Sequence, residues 1–328
     1  MQTQSSSAVQ LPSRSSRVHW LPDQKGAWMM AVIPFLSGAI GGGFTWQHLP
    51  LLALWISGYA LFYALNLWLS SKRQPRFRPP VTLWSTISVL LAALNLWLCG
   101  SLISWLVFFI PLFGVALWAM LTHRGRTLLA RSVEVMAAGL MCLVAWDAGM
   151  RLHGPFGTVV SDLGITPPAG ITIADLTQWG PLPTVLLAPN AVEAIAVTIA
   201  LTYYFWSTIP FVKSLVRERS SRSYAILTKI SHWVGLVAAI AAWAFQIFDW
   251  RMTFIWSILI IRWMYFTHIA HPQTRGSARP QASDTAHPQA DSTAHPRPNR
   301  TVNARQLLIC VGITETVLSI LYMGAVLA

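Results

Sequence analysis

Nine long apolar runs, separated by short polar gaps, leave this chain few ways to fold. They cover residues 27–44, 48–70, 81–99, 102–121, 132–150, 190–211, 231–248, 252–268 and 306–327. Each is about 17–23 residues long, the length that spans a hydrocarbon core of about 30 Å at 1.5 Å rise per residue. Backbone N–H and C=O groups find no water in that core, so each run must satisfy them internally, as a helix does. Hydrophobic residues at 54% and charged residues at 10% exclude an ordinary soluble domain. The expected fold is all-α, a polytopic transmembrane bundle of about nine helices.

The positive charges predict its orientation. Twenty of the 23 Lys and Arg residues lie in the N-terminal tail and in alternate gaps. Arg262 falls inside a run, and only Arg151 and Arg251 fall in gaps of the other register. Basic residues are retained on the cytoplasmic side of a membrane, which predicts an inner N-terminus and an outer C-terminus. The net charge of +12 is explained by topology, so no nucleic-acid partner is expected. The partner implied directly is the lipid bilayer. Anionic headgroups beside such loops contribute about 1 kcal/mol per nearby charge.

The expected organisation is a polar tail (1–20), a membrane unit of eight helices (21–269), a Pro/His-rich cytoplasmic linker (270–305) and a final helix (306–328). Residues 1–26 contain no small-residue cleavage site, so no removable signal peptide is expected. The linker repeats AHPQ at 270–273 and 286–289, with AHPR at 294–297; Pro spacing without a Cys or carboxylate cluster reads as a linker rather than a metal site. Cys99, Cys142 and Cys310 fall inside the runs and read as buried small hydrophobes. The long gap 151–189 contains an apolar stretch, 182–187, placed as a re-entrant piece. Asn190 followed by Glu193 has the spacing of a capping box at the start of the next helix.

Charges at membrane depth are costly and therefore mark candidate sites. Glu315 lies ten residues beyond Arg305, about 15 Å into the bilayer. Arg262 lies six residues before His268 on the preceding helix and is its expected partner. An Arg–Glu pair joining the last two helices is the first reading; proton transfer or cation coordination by Glu315 is the second. Asp147 and Arg151, four residues apart, read as a helix-surface ion pair. Asp249 and Arg251 read as turn former and interface anchor. Glu193 is a cap first and a ligand candidate second. Several of the 17 Trp residues, including Trp20, Trp28, Trp46, Trp84, Trp206 and Trp250, stand at run ends, as an aromatic belt requires. In the first run, Pro34, Gly38 and 41–43 suit a kinked helix in close contact with a neighbour.

The segment Leu21-Pro22-Asp23-Gln24-Lys25-Gly26-Ala27-Trp28, followed by Ile33-Pro34-Phe35 and Gly38, resembles the opening signature of the YwiC-like family of bacterial membrane proteins. The segment Val311-Gly312-Ile313-Thr314-Glu315 is similar to that family's last helix. The resemblance makes Lys25 and Trp28 candidates, but it implies no settled activity. The family's pattern has His where this chain has Lys25. Nine crossings with an inner N-terminus also resemble the UbiA superfamily of membrane prenyltransferases, whose second and sixth interhelical loops carry Asp ligands for Mg²⁺. The corresponding loops here, 70–78 and 213–219, hold one carboxylate between them, so that reaction does not carry over. Arg73, Arg76 and Arg78 read first as a solvated positive-inside loop and second as an anion-binding loop for a phosphate.

No metal, cofactor or catalytic residue is assigned. The first functional reading is a carrier or accessory membrane factor for an anionic lipid or small molecule, with Arg262 and Glu315 lining a cavity. The alternative is a degenerate UbiA-like enzyme that binds an anionic amphiphile at the cytoplasmic face.

Overall fold

The computed structural model describes residues 20–21, 25–125, 127–153, 183–217, 221–270 and 304–327. Among them are nine α-helices and no strand: α1 (Lys25–Gly41), α2 (His48–Ser70), α3 (Arg78–Leu98), α4 (Leu106–Leu121), α5 (Leu128–His153), α6 (Ala191–Val212), α7 (Arg222–Ala244), α8 (Trp250–Ala270) and α9 (Ala304–Val326). Seven of these (α2, α3, α4, α5, α6, α7 and α9) are long and apolar enough to cross a membrane, counting the short turns that extend α3, α4 and α6. The shorter α1 is apolar too. Helix α8 carries Arg262 within its apolar run. The chain is a multi-pass membrane protein. Large apolar side chains such as Val89, Leu90, Val107 and Val237 face outward, where lipid rather than water suits them.

Side-chain contacts show successive helices running in opposite directions. Trp55 Nε1 of α2 donates to the Ala31 carbonyl of α1 at 2.8 Å. Asn95 Nδ2 of α3 donates to the Pro50 carbonyl of α2 at 3.0 Å. Trp206 Nε1 of α6 donates to Ser132 Oγ of α5 at 2.8 Å, and the Tyr203 hydroxyl of α6 donates to the Ser231 carbonyl of α7 at 2.8 Å. The ends of α2, α4 and α6 and the starts of α3, α5 and α7 therefore share one end of the bundle with Lys25, called the basic end below.

Helix α5 is the axis of the fold. Buried residues make up 61% of its apolar stretch but only 6% of that of α3, which lies at the lipid-facing edge. Helix α1 runs parallel to α5 and almost touches it. A Cβ on Gly38 would stand 1.9 Å from the Cys142 carbonyl oxygen, and one on Gly149 would stand 2.5 Å from the Gly43 oxygen. Without Cβ atoms two helical backbones can approach this closely and gain dispersion contact along their length. At the end away from the basic loops, His48 joins the same elements. The Thr45 N–H donates to its Nδ1 at 3.0 Å, so Nε2 carries the proton and bonds the Ala145 carbonyl at 2.9 Å.

Four expectations change. Helix α7 begins at Arg222, nine residues before its apolar run, because a helix keeps its backbone bonds while polar side chains reach toward water. Beyond Ala244, Gln246 adopts a left-handed φ of 57° and the chain turns. Asn190 does precede α6, but its side chain makes no capping bond, so the capping box with Glu193 is not formed. Asp147 is buried rather than at the helix surface: it accepts from Trp105 Nε1 at 3.0 Å and from the Val185 N–H at 2.9 Å. Val185 belongs to a short 3-10 turn, Thr184–Leu187, so part of the expected re-entrant stretch is a plug against α5 and α6. The side chain of Arg151, residues 154–182 and the AHPQ repeats lie outside the described residues.

Candidate functional site

Helices α1 to α5 do not close on one another completely. Between them lies a chamber of about 340 Å³, walled by side chains such as Trp55, Phe62, Phe109, Phe113 and Met141. On α5 the wall runs from Val133 to Val144, about 16 Å at 1.5 Å per residue. The geometry follows from residue size. Gly58 of α2 lies in the wall, and a Cβ there would meet nothing within 4 Å. Aromatic side chains prop the helices apart on either side; Trp55 and Phe109 have ring centroids 6.5 Å apart. Over most of its length such a space is too apolar to hold ordered water, which needs two or more polar partners.

Polar groups occur in the chamber at two levels. Near the end away from the basic loops, Asn95 Nδ2 is saturated by the Pro50 and Leu91 carbonyls at 3.0 and 2.8 Å. Toward the basic end stand Tyr59 and Glu134. Arg131 Nη1, one turn before Glu134, donates to its Oε2 at 2.6 Å. Trp28, a candidate from the sequence motif, packs edge-on against Tyr59 with centroids 5.6 Å apart and planes at 76°. Sequence reasoning assigned nothing to Glu134 or Tyr59. The legible signal was a carboxylate six residues into an apolar helix.

The other half of the bundle holds the deep charges. Arg262 of α8 and Glu315 of α9 are both buried and joined through Nη1 and Oε2. The guanidinium carbon also lies 4.7 Å from the centre of the Phe211 ring. Arg262 Nε and Glu315 Oε1 have no hydrogen-bond partner among the described residues. One turn on, Ser319 Oγ donates to the Glu315 carbonyl at 2.7 Å and lies 3.3 Å from the Tyr204 hydroxyl. Neither Arg262 nor Glu315 lines the chamber of α1–α5.

The remaining candidates are scattered. Lys25 opens α1, and its side chain lies outside the described residues. Glu193 borders a second cavity, of about 540 Å³, with Asp249 and the end of α9, at the end away from the basic loops. Asp249 Oδ2 is 3.2 Å from Arg251 Nε, an exposed pair in the turn before and at the start of α8. Arg73, Arg76 and Arg78 are exposed at the basic end. There Lys72 and Arg73 hold φ of 58° and 61°, a left-handed reversal at the end of α2, and Arg76 lies over Phe77 at 4.8 Å. Among the described residues no group of three or more His, Cys, Asp or Glu could hold a metal ion.

The chamber coincides with a recognisable stretch of sequence. Residues 21–146 match the family described as YwiC-like protein. The uncharacterized protein YwiC of Bacillus subtilis (strain 168) is similar, at 38% identity over 58 residues. That alignment covers 18% of this chain and 24% of the relative, so the match spans about a quarter of the relative's length. No solved structure matches the chain. From the approach to α1 into the last third of α5, this multi-pass membrane protein is similar to the YwiC-like family, over residues 21–146.

Proposed function

We propose that the protein is a carrier or accessory factor of the bacterial cytoplasmic membrane that takes the apolar part of a lipid-like molecule into the chamber of α1–α5. The observation that carries this reading is the chamber itself. Its volume of about 340 Å³ falls in the range of about 300–1,000 Å³ typical of small-molecule sites. Its walls are apolar with a few polar groups, the usual composition of such sites. Every wall residue lies within the YwiC-like stretch. An empty space of this kind forfeits dispersion contacts that an apolar occupant restores.

Filling the chamber from within tests the proposal. Gly58→Phe places a ring where a Cβ meets open space, so the helix is expected to tolerate it. Native mass spectrometry of the purified protein should show a co-purifying lipid in the parent chain and its loss in Gly58→Phe, at equal yield. Retention of the same lipid in the variant would place it on the outer surface instead.

In this reading the basic end faces the cytoplasm. A tag fused after Ala328 is then expected to resist a cytosolic protease in intact cells and to be cut from the outside.

A further inference from the structure

The chamber has a polar end, and its chemistry restricts the occupant. At the level nearer the basic loops it presents the Tyr59 hydroxyl from α2 and the Glu134 carboxylate from α5. Arg131 occupies Oε2, while Oε1 makes no hydrogen bond among the described residues. The hydroxyl of the half-buried Tyr59 makes none either, although a phenol out of water ordinarily finds a partner. Both side chains line this one chamber, from two different helices. A tyrosine held edge-on by Trp28 and left unsatisfied beside an unsatisfied carboxylate oxygen is one donor and one acceptor awaiting a third group.

We infer that the chamber binds an uncharged, hydroxyl-bearing amphiphile, its hydroxyl donating to Glu134 Oε1 and accepting from the Tyr59 hydroxyl while its tail lies among Trp55, Phe109 and Met141. The inference rests on the chamber being the binding site. Charge decides between head groups. Glu134 is the charged residue of the wall, and Arg131 offsets it, leaving the site with no net charge. An anionic head would meet the free carboxylate oxygen. A cationic head reaching Oε1 would meet the like charge of Arg131, which is fixed to the same helix one turn away. A hydroxyl satisfies both orphaned groups at once, and removing one partner would leave a buried polar group bare, the costly case. Lipid alcohols, phenols and quinols share this chemistry. Asn95, near the chamber's other end, has its amide hydrogens committed to backbone carbonyls and suits the tail better than the head.

Three probes of one chain length separate the outcomes in purified protein reconstituted in nanodiscs: tritiated farnesol, its saturated hydrocarbon farnesane, and farnesyl phosphate. Farnesol is expected to bind at least about tenfold more tightly than farnesane, the effect of hydrogen bonds that include a charged acceptor. Tyr59→Phe should remove most of that preference and leave farnesane binding unchanged, which also shows that the variant is folded. Glu134→Gln should keep farnesol and raise the affinity for farnesyl phosphate about tenfold, since Arg131 is then uncompensated. Tighter binding of farnesyl phosphate than of farnesol by the parent chain would overturn the uncharged head. Equal binding of farnesol and farnesane, both abolished by Gly58→Phe, would overturn the hydroxyl site and leave the chamber reading standing. Binding of all three that ignores Gly58→Phe would overturn the chamber reading itself.

Discussion

Glu315→Leu on its own is expected to destabilise the folded protein by about 3–5 kcal/mol, whereas Glu315→Leu combined with Arg262→Met should regain most of that loss. The single variant leaves a guanidinium buried between α8 and α9 without its counter-ion, and desolvating an unpaired charge is the dominant cost. The double variant replaces both groups by apolar side chains of similar volume, which is often neutral or favourable at buried pairs. Arg262 also loses its position over Phe211 in the double variant, a contact worth about 0.5–2 kcal/mol, so recovery should be incomplete. Thermal midpoints in detergent, read by the loss of the monodisperse peak in size-exclusion chromatography, measure both effects. The comparison also separates structure from function. If the double variant is as stable as the parent and binds the chamber ligand as well, the pair is a lock between the last two helices. If it is stable but a cellular phenotype is lost, the orphaned Glu315 Oε1 and Arg262 Nε take part in the activity. Equal instability of the single and double variants would refute the lock.

Gly38→Ala should be nearly as damaging, at about 3 kcal/mol, although it adds one methyl group. The new Cβ would lie 1.9 Å from a backbone oxygen, that of Cys142, and a backbone cannot swing aside as a side chain does. Relief requires α1 and α5 to separate, and the seam continues through Gly41 and Gly42 against Trp146 and through Gly149 against Gly42 and Gly43. Overpacking of this kind costs about 1–3 kcal/mol where neighbours can adjust, and this site stands at the upper end or beyond. Gly114→Ala is the control: a Cβ there meets nothing within 4 Å, and the better helix propensity of Ala should stabilise by up to about 1 kcal/mol. The same thermal assay reads both. Tolerance of Gly38→Ala would mean that the α1–α5 crossing is looser than described.

The two candidate regions were not equally visible in the sequence. Arg262 and Glu315 could be paired by counting, because helix rise converts residue number into depth and two opposite charges at one depth on consecutive helices have strong reason to meet. Glu134 failed the same test only because Arg131 sits three residues away, and a charge near a helix end reads as an ordinary surface ion pair. Asp147 shows what local spacing leaves out. Its spacing from Arg151 suggested a place on the helix surface, yet it is buried, and a tryptophan from the approach to α4 and a backbone amide from the 183–190 segment converge on it. Those partners are 42 and 38 residues away in sequence, beyond any local pattern.

Hydropathy and charge alone determined that the chain is a helical membrane protein and roughly where its helices lie. Those properties follow from composition along a line: apolar length against bilayer thickness, and the cost of moving a charge through hydrocarbon. The chamber, the glycine seam and the placing of Tyr59 and Glu134 in one cavity wall were decided by the tertiary structure. Each depends on how large and small side chains from different helices add up across a gap, and in lipid the hydrophobic pattern that orders a water-soluble core no longer says which face of a helix turns inward.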